Sequence, residues 1–301
     1  MVPHPEFAVR VLALATALGP ALPIGVVMFS VGRHTISPGT VMTAAGAGLV
    51  AALACFLGFA TAPLVAALPA GLPHAVGQAF LSAAVPEELS KLLCLIFLAL
   101  RHVDAEQERD SILIGVYIGL GFAIIENFLY VTNSIDWAAT GAVRAVLSVP
   151  GHVSWGLIMG YFVSRRRLVL AFAVPMLAHG LFDAVLMYDE TLGAGGSVLP
   201  NSMINTVLFG GVLVSGWLFI RGPVCEALGR LEQMPSPYRI SDEAAHAVWL
   251  SGGAATVLLL LASVILPASA VWACFTMDMR YAALALLAVM PVTFADVWRC
   301  G

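Results

Sequence analysis

The sequence predicts an all-α fold, a polytopic membrane helix bundle of about nine transmembrane helices. Composition is the first reason: 60% of the 301 residues are apolar and only 11% are charged, which leaves too little polar surface for a water-exposed fold. The second reason is that apolar runs long enough to cross the hydrocarbon core recur along the whole chain. The third is that arginines follow every second run, as expected of a chain that crosses a membrane repeatedly.

The predicted spans follow one another with short connections. The first lacks the basic patch of a secretory signal and is longer than a signal's apolar region, so we expect it to stay as a membrane anchor. The stretch Ala-Leu-Pro-Ala-Gly-Leu-Pro at 67–73 predicts a turn between the second and third spans. In chain order the predicted spans cover roughly residues 8–31, 39–68, 74–100, 111–133, 138–164, 168–188, 202–220, 247–267 and 280–297.

Arginine placement orients the predicted bundle. Cytoplasmic loops carry an excess of basic residues, so the arginine-bearing loops should lie on the cytoplasmic side. This predicts an N-terminus outside, a cytoplasmic C-terminus and a multi-pass protein of the cell membrane. The arginines that follow spans one, three, five and seven are Arg33, Arg101, Arg109, Arg165, Arg166, Arg167, Arg221, Arg230 and Arg239.

The chain is predicted to form one integral membrane domain, residues 1–301. Its functional core is expected within 74–190, and the polar stretch 221–246 reads as a cytoplasmic linker. The formal charge of −4 is too small to indicate nucleic acid as a partner. The cysteines are scattered and never spaced C-x-x-C, so we expect them to fill apolar space and not to bind metal.

Ionisable side chains inside the predicted spans indicate a functional site. An ionisable group in the hydrocarbon core costs at least about 2.5–3.5 kcal/mol on insertion scales, so each one invites a functional interpretation. Single residues of this kind also form helix-packing hydrogen bonds or interhelical ion pairs. The acidic and histidine residues concerned are Glu87, Glu88, Glu126, His152, His179 and Asp183.

The third span carries Pro86-Glu87-Glu88-Leu89-Ser90-Lys91, with the only lysine of the chain. On a helix Glu87 and Lys91 share a face, while Glu88 lies about 100° away, so one carboxylate can pair with the lysine and the other point elsewhere. Lys91 would then set the ionisation of the pair or stabilise an oxyanion, and a free carboxylate would act as general base. The alternative is a buried ion pair that fixes helix register.

Spans four to six supply the other groups. Glu126 is followed by Asn127, which could donate a hydrogen bond to a tetrahedral intermediate. His179 and Asp183 lie one helical turn apart, so both can approach one ion, or the carboxylate can orient the imidazole. Arg144, on span five, is expected to snorkel to the headgroups, with substrate contact as the alternative.

Depth in the membrane predicts that these groups meet. At a rise of about 1.5 Å per residue, four of them fall near the bilayer centre, and Glu126 and Asp183 lie slightly nearer the outer face. Two histidines and a carboxylate can hold zinc with a water as fourth ligand, and a further glutamate can take the proton of that water. The residues therefore predict hydrolysis inside the membrane. The predicted metal ligands are His152, His179 and Glu126, or Asp183 in its place, and Glu87 or Glu88 is the base.

Four ordered motifs within residues 80–190 also resemble a known family. They are Glu-Glu-x-x-Lys at 87–91, Phe-x-x-x-Glu-Asn at 122–127, Pro-x-His-x-x-x-Gly-x-x-x-Gly-Tyr-Phe at 150–162 and His-Gly-Leu-Phe-Asp at 179–183. Together they are similar to the motifs of the PrsW intramembrane proteases, relatives of the CAAX prenyl endopeptidases and of bacteriocin-immunity proteins.

The resemblance implies a membrane metalloprotease. It implies cleavage of a single-span membrane protein or peptide, of the anti-sigma-factor type, in envelope-stress signalling, with the glutamate pair catalytic and Glu126, His152 and His179 completing the site. CAAX enzymes carry a histidine where this chain has Glu126, which argues against a prenyl-protein substrate.

Three alternatives stay open from sequence. One is a metal-free glutamate mechanism with the same residues. The second is a proton-coupled secondary transporter, since intramembrane acids and histidines also build proton relays. The third is a non-catalytic immunity or scaffold protein on the same fold. Crowding of polar residues into spans three to six, with the flanking spans bare, favours an enzyme.

Overall fold

The computed structural model describes residues 36–101, 108–134 and 147–192, with a few positions between 21 and 28 and between 140 and 145. All regular structure in these residues is helical, which confirms the all-α prediction for this part of the chain. The helices are α1 (Pro38–Ala51), a 3-10 turn (Ala52–Phe56), α2 (Leu57–Ala66), α3 (Leu72–Gly77), a π-helical segment (Gln78–Ala84), α4 (Val85–Arg101), α5 (Glu108–Asn133), α6 (Ser148–Ser164) and α7 (Leu168–Leu192).

Three helical stretches are long and apolar enough to cross a membrane among the described residues. They are Pro38–Ala66, Asp110–Asn133 and Leu168–Tyr188, close to the predicted spans two, four and six. The predicted third span corresponds to the helical run from α3 to α4. The fifth includes α6, Ser148–Ser164, and the described positions 140, 141, 144 and 145 of that span are helical as well. The predicted spans 8–31, 202–220, 247–267 and 280–297 and the linker 221–246 lie outside the described residues, apart from a few positions of the first span.

Local chemistry explains where the helices begin. The Ser37 hydroxyl accepts a hydrogen bond from the Thr40 amide at 3.1 Å, and Pro38 occupies the first turn of α1, where its missing N–H is no loss. The predicted turn is confirmed between α2 and α3. There Gly71 has φ of 88°, a left-handed conformation that glycine adopts without a side-chain clash.

The π-helical segment directly precedes the glutamate pair. Its wider turn is rare, and single π turns inside α-helices occur frequently at functional sites. Phe80, on this segment, packs so closely on Gly180 of α7 that a Cβ at position 180 would overlap its ring. The segment therefore fixes α4 against the helix that carries His179.

Helix α5 is the centre of the bundle and packs against α1 on one side and α6 on the other. Glycines lie where these helices approach most closely. A Cβ at Gly119 would overlap the carbonyl oxygen of His152, and one at Gly121 would overlap that of Ala45 in α1. Gly115 and Gly156 face each other in the same way. Small residues thus let the backbones approach, as in other membrane bundles.

We expect Gly119→Ala to destabilise the protein by about 1–3 kcal/mol, because the added methyl must push α6 away from α5 at His152. Gly46→Ala is the matched control, since a Cβ there meets no atom within 4 Å and alanine favours a helix. Thermal unfolding in detergent measures both. Equal unfolding temperatures for the two variants would contradict the close-packing role of Gly119.

Candidate active site

Four helices bring the predicted polar residues into one buried cluster. Helix α4 supplies Glu87, Glu88 and Lys91, and α5 supplies Glu126 and Asn127. His152 comes from α6, and His179 and Asp183 come from α7. All are buried except Asp183, whose side chain is 17% exposed. Helix packing therefore brings together residues that are more than 90 positions apart in the sequence.

Glu88 lies at the centre of the cluster. Its Oε1 is 2.7 Å from Lys91 Nζ and 2.8 Å from His179 Nδ1. Lys91 Nζ lies 3.1 Å from His152 Nδ1 as well, so the lysine connects the carboxylate to the second histidine. The predicted pairing is thus reassigned. Lys91 pairs with Glu88, one turn away at i, i+3, and Glu87 is left for other contacts.

Each histidine has a carboxylate beside the ring nitrogen that points away from Glu88, and this contact orients the ring. His152 Nε2 lies 2.6 Å from Glu126 Oε2, and His179 Nε2 lies 3.2 Å from Asp183 Oδ2. An ammonium only donates, so His152 Nδ1 must accept from Lys91 and its N–H must lie on Nε2, facing Glu126. The carboxylates therefore hold Nδ1 of each ring toward the centre.

This arrangement fits a metal ion. One ligand atom each of Glu88, His152 and His179 lies within 4.8 Å of the others, and all three residues are buried. A carboxylate with two imidazoles is a ligand set that catalytic zinc sites use, and carboxylates that orient such imidazoles are typical partners. Glu88 Oε2 is buried without a hydrogen-bond partner among the described residues, and a cation would satisfy it.

The carboxylates take different positions around the two histidines from those predicted. Glu88, predicted as part of the catalytic pair, lies with the two histidines. Glu126 and Asp183, predicted as ligands, instead contact the outer nitrogens of those histidines. Orienting an imidazole is one of the two roles that the sequence predicts for Asp183, whereas for Glu126 it predicts metal ligation.

Glu87 lies on the Nε2 side of His179, opposite the Nδ1 atom that contacts Glu88. Its Oε1 lies 3.8 Å from Cys55 Sγ, close enough to accept a weak hydrogen bond from the thiol. Its Oε2 is buried without a hydrogen-bond partner and lies 3.9 Å from His179 Nε2. Polar atoms separated by more than about 3.5 Å commonly share a water. Glu87 therefore has an oxygen that can accept a hydrogen bond from a water molecule.

Arg144 belongs to the site, which corrects the prediction that it snorkels to the headgroups. Its Nη2 lies 2.7 Å from Glu126 Oε2 and 2.9 Å from Ser148 Oγ, and its Nε donates to Asn127 Oδ1 at 2.9 Å. The guanidinium also stacks over the Tyr130 ring at 4.0 Å. Its long stem was compatible with snorkelling, and only the packing of four partners around it shows its position.

Trp155 is a site residue that sequence analysis missed. Its ring stacks on His179 at a centroid distance of 4.1 Å and meets His152 edge-on at 5.0 Å. Phe122 lies 5.1 Å from the His152 ring and directly under Lys91. These rings pack against both imidazoles and restrict their movement. The available signal was spacing, because Trp155 follows His152 by three residues and so shares its helix face.

A helical membrane bundle with a buried centre of carboxylates and histidines is the kind of structure that membrane-embedded metallohydrolases use. The family model described as PrsW family intramembrane metalloprotease matches residues 36–214, more than half of the sequence. The chain belongs to this family.

Curated relatives agree with this assignment. The chain is 38% identical over 120 residues to Protease PrsW of Halalkalibacterium halodurans, covering 36% of this chain and 54% of the relative. It is 33% identical over 132 residues to Protease PrsW of Clostridioides difficile (40% and 56%) and 34% identical over 118 residues to that of Bacillus subtilis (36% and 53%). The chain spans about half the length of these relatives. No solved structure matches it.

Proposed function

We propose that this protein is an intramembrane endopeptidase that hydrolyses a peptide bond of a membrane-anchored protein. One observation carries the proposal. Glu88, His152 and His179 form a buried donor set, and the unpartnered oxygen of Glu87 lies beside it. Such a set can activate water where the lipid would otherwise exclude it.

Glu88, His152 and His179 would hold the metal, through Nδ1 of each imidazole. Zinc fits this mixed nitrogen and oxygen set. When bound, the metal supplies Lewis acidity and makes a bound water more acidic. Glu126 and Asp183 keep the imidazoles in the orientation that presents Nδ1. The metal-free mechanism uses the same residues, with Glu87 and a histidine acting on water directly.

Glu87 acts as the general base in this proposal. Its free Oε2 takes a proton from water as the oxygen attacks the peptide carbonyl, and returns it to the amine that leaves. Asn127 supports the tetrahedral intermediate. Its Oδ1 accepts from Arg144, which can only donate, so the amide N–H groups are directed away from Arg144 and remain for an oxyanion. In the metal-free mechanism Lys91, paired with Glu88, supplies positive charge beside the reacting centre.

The substrate class follows from the depth of the site. A peptide bond must reach a cluster buried among α4–α7, so we propose a single-span membrane protein or membrane-bound peptide as substrate. The lipid bilayer is then the second partner. Regulated proteolysis in envelope-stress signalling, in the plasma membrane of a bacterium, is the setting implied by the resemblance to the PrsW proteases.

Mapping of new N-termini tests the proposal. Wild type and Glu87→Gln are expressed in bacterial membranes, and the N-termini of membrane proteins are identified by mass spectrometry. We expect cleavage products with ends in or next to predicted spans in the wild type that are absent from the variant. Identical sets of N-termini would argue against a peptidase.

Arg144→Met should lower metal affinity and cleavage by about 10–100-fold, the usual cost of removing a partner that orients a ligand. The substitution breaks the contact with Glu126, which then holds His152 less firmly. Arg144→Lys keeps the charge and should retain more activity. Its ammonium lacks the planar set of donors with which the guanidinium joins Glu126 and Asn127. Metal affinity and turnover measure both variants. Wild-type values for Arg144→Met would exclude this role.

A further inference from the structure

Lys91 occupies the centre of the carboxylate and histidine cluster. Its Nζ lies 2.7 Å from Glu88 Oε1, 3.1 Å from His152 Nδ1 and 3.8 Å from the centroid of the Phe122 ring. The side chain is 1% exposed, so water does not solvate this charge. The groups of the site itself hold the ammonium, as burial of a charge requires.

Two of the Lys91 contacts are with groups that would also bind the metal. An imidazole nitrogen has one lone pair, so His152 Nδ1 can accept from the ammonium or ligate a metal, but not both. Its Nε2 offers no alternative, because Nε2 faces Glu126 Oε2 at 2.6 Å. Glu88 is not limited in this way, since its Oε2 is unpartnered while Oε1 holds Lys91. The conflict is therefore centred on His152.

We propose that the Lys91 ammonium and a divalent metal ion are alternative occupants of the His152 Nδ1 lone pair. Metal binding then requires Lys91 to leave the cluster centre, and repulsion between the two cations acts in the same direction. Lys91 is thus an internal competitor that lowers metal affinity and sets the metal concentration at which the site fills. The inference rests on the metal-binding part of the proposed function and not on peptide cleavage.

Zinc affinity tests the competition. Wild type and Lys91→Met, purified in detergent without a histidine tag, are titrated with zinc against a fluorescent chelator. We expect the variant, which keeps the length of the side chain but has no donor, to bind zinc about tenfold more tightly or better. Arg165→Met is the control. It removes a positive charge that stacks over Tyr161 outside the cluster, and it should leave the affinity unchanged.

A second measurement needs no substitution at Lys91. Because Lys91 is the only lysine in the sequence, protein labelled with carbon-13 at the lysine ε carbon gives a single lysine side-chain NMR signal. We expect this signal to shift when zinc is added to the wild type. In His179→Ala, which lacks one of the three donors, the same titration should leave it in place.

The proposal is overturned by equal zinc affinities of wild type and Lys91→Met, by a lysine signal that ignores bound zinc, or by absence of zinc binding in both proteins. Cleavage by the same preparations, with and without a chelator, reports separately on the proposed function. Cleavage that persists with the chelator would support a peptidase that works without a metal. Tighter zinc binding by Lys91→Met without any cleavage would support the competition and argue against a peptidase.

Discussion

Glu87→Gln should reduce peptide cleavage by about 10²–10⁴-fold while leaving the metal in place. Glutamine matches glutamate in shape and can still accept the weak hydrogen bond from Cys55, but it cannot take up a proton. The loss should appear in turnover and not in substrate affinity, because the proton transfer belongs to the chemical step. Single-turnover cleavage of a peptide identified by N-terminal mapping measures it.

Glu88→Gln is the matched comparison, since the two glutamates are neighbours on one helix. Glu88 contacts Lys91 and His179, so its substitution should lower metal content as well as cleavage. If Glu87→Gln cleaves normally, the general base is assigned to the wrong carboxylate. A proton-coupled transporter would instead show an altered pH dependence of flux in Glu87→Gln and no cleavage in either protein.

His179→Ala should remove the metal, from about one ion per chain in the wild type to none. In the proposed site His179 supplies one of three donors, and it lies 2.8 Å from Glu88 Oε1, so alanine would take away a ligand and the partner that fixes another. Cleavage should fall with the metal. Mass spectrometry of protein purified without a histidine tag gives the metal content directly.

His74→Ala is the control for His179→Ala, because His74 lies on α3 and belongs to no metal-binding group among the described residues. It should keep the wild-type metal content. Metal retained in His179→Ala would remove this histidine from the ligand set. Absence of metal from the wild type in zinc-supplemented medium would favour the metal-free glutamate mechanism.

The residues of the site were predictable because an ionisable side chain has a high free-energy cost in lipid. Glu87, Glu88, His152 and His179 stand out against apolar neighbours, and their depth along regular helices predicts that they meet. The glycine contacts of α5 were predictable for a related reason, since small residues in membrane helices mark close approach. Trp155 and Phe122 gave no such signal, because an aromatic ring in an apolar helix is compatible with simple core packing.

Sequence by itself determined the fold class, the membrane setting and the set of polar groups, because hydrophobicity and helical periodicity are properties of single segments. Only the tertiary structure decided which partner each group has. Lys91 pairs with Glu88 and not Glu87, Glu126 contacts the outer nitrogen of His152, and Arg144 turns inward. These contacts depend on side-chain rotamers and on the relative rotation of helices distant in sequence. The π-helical turn before Glu87 changes that rotation, and no spacing rule predicts it.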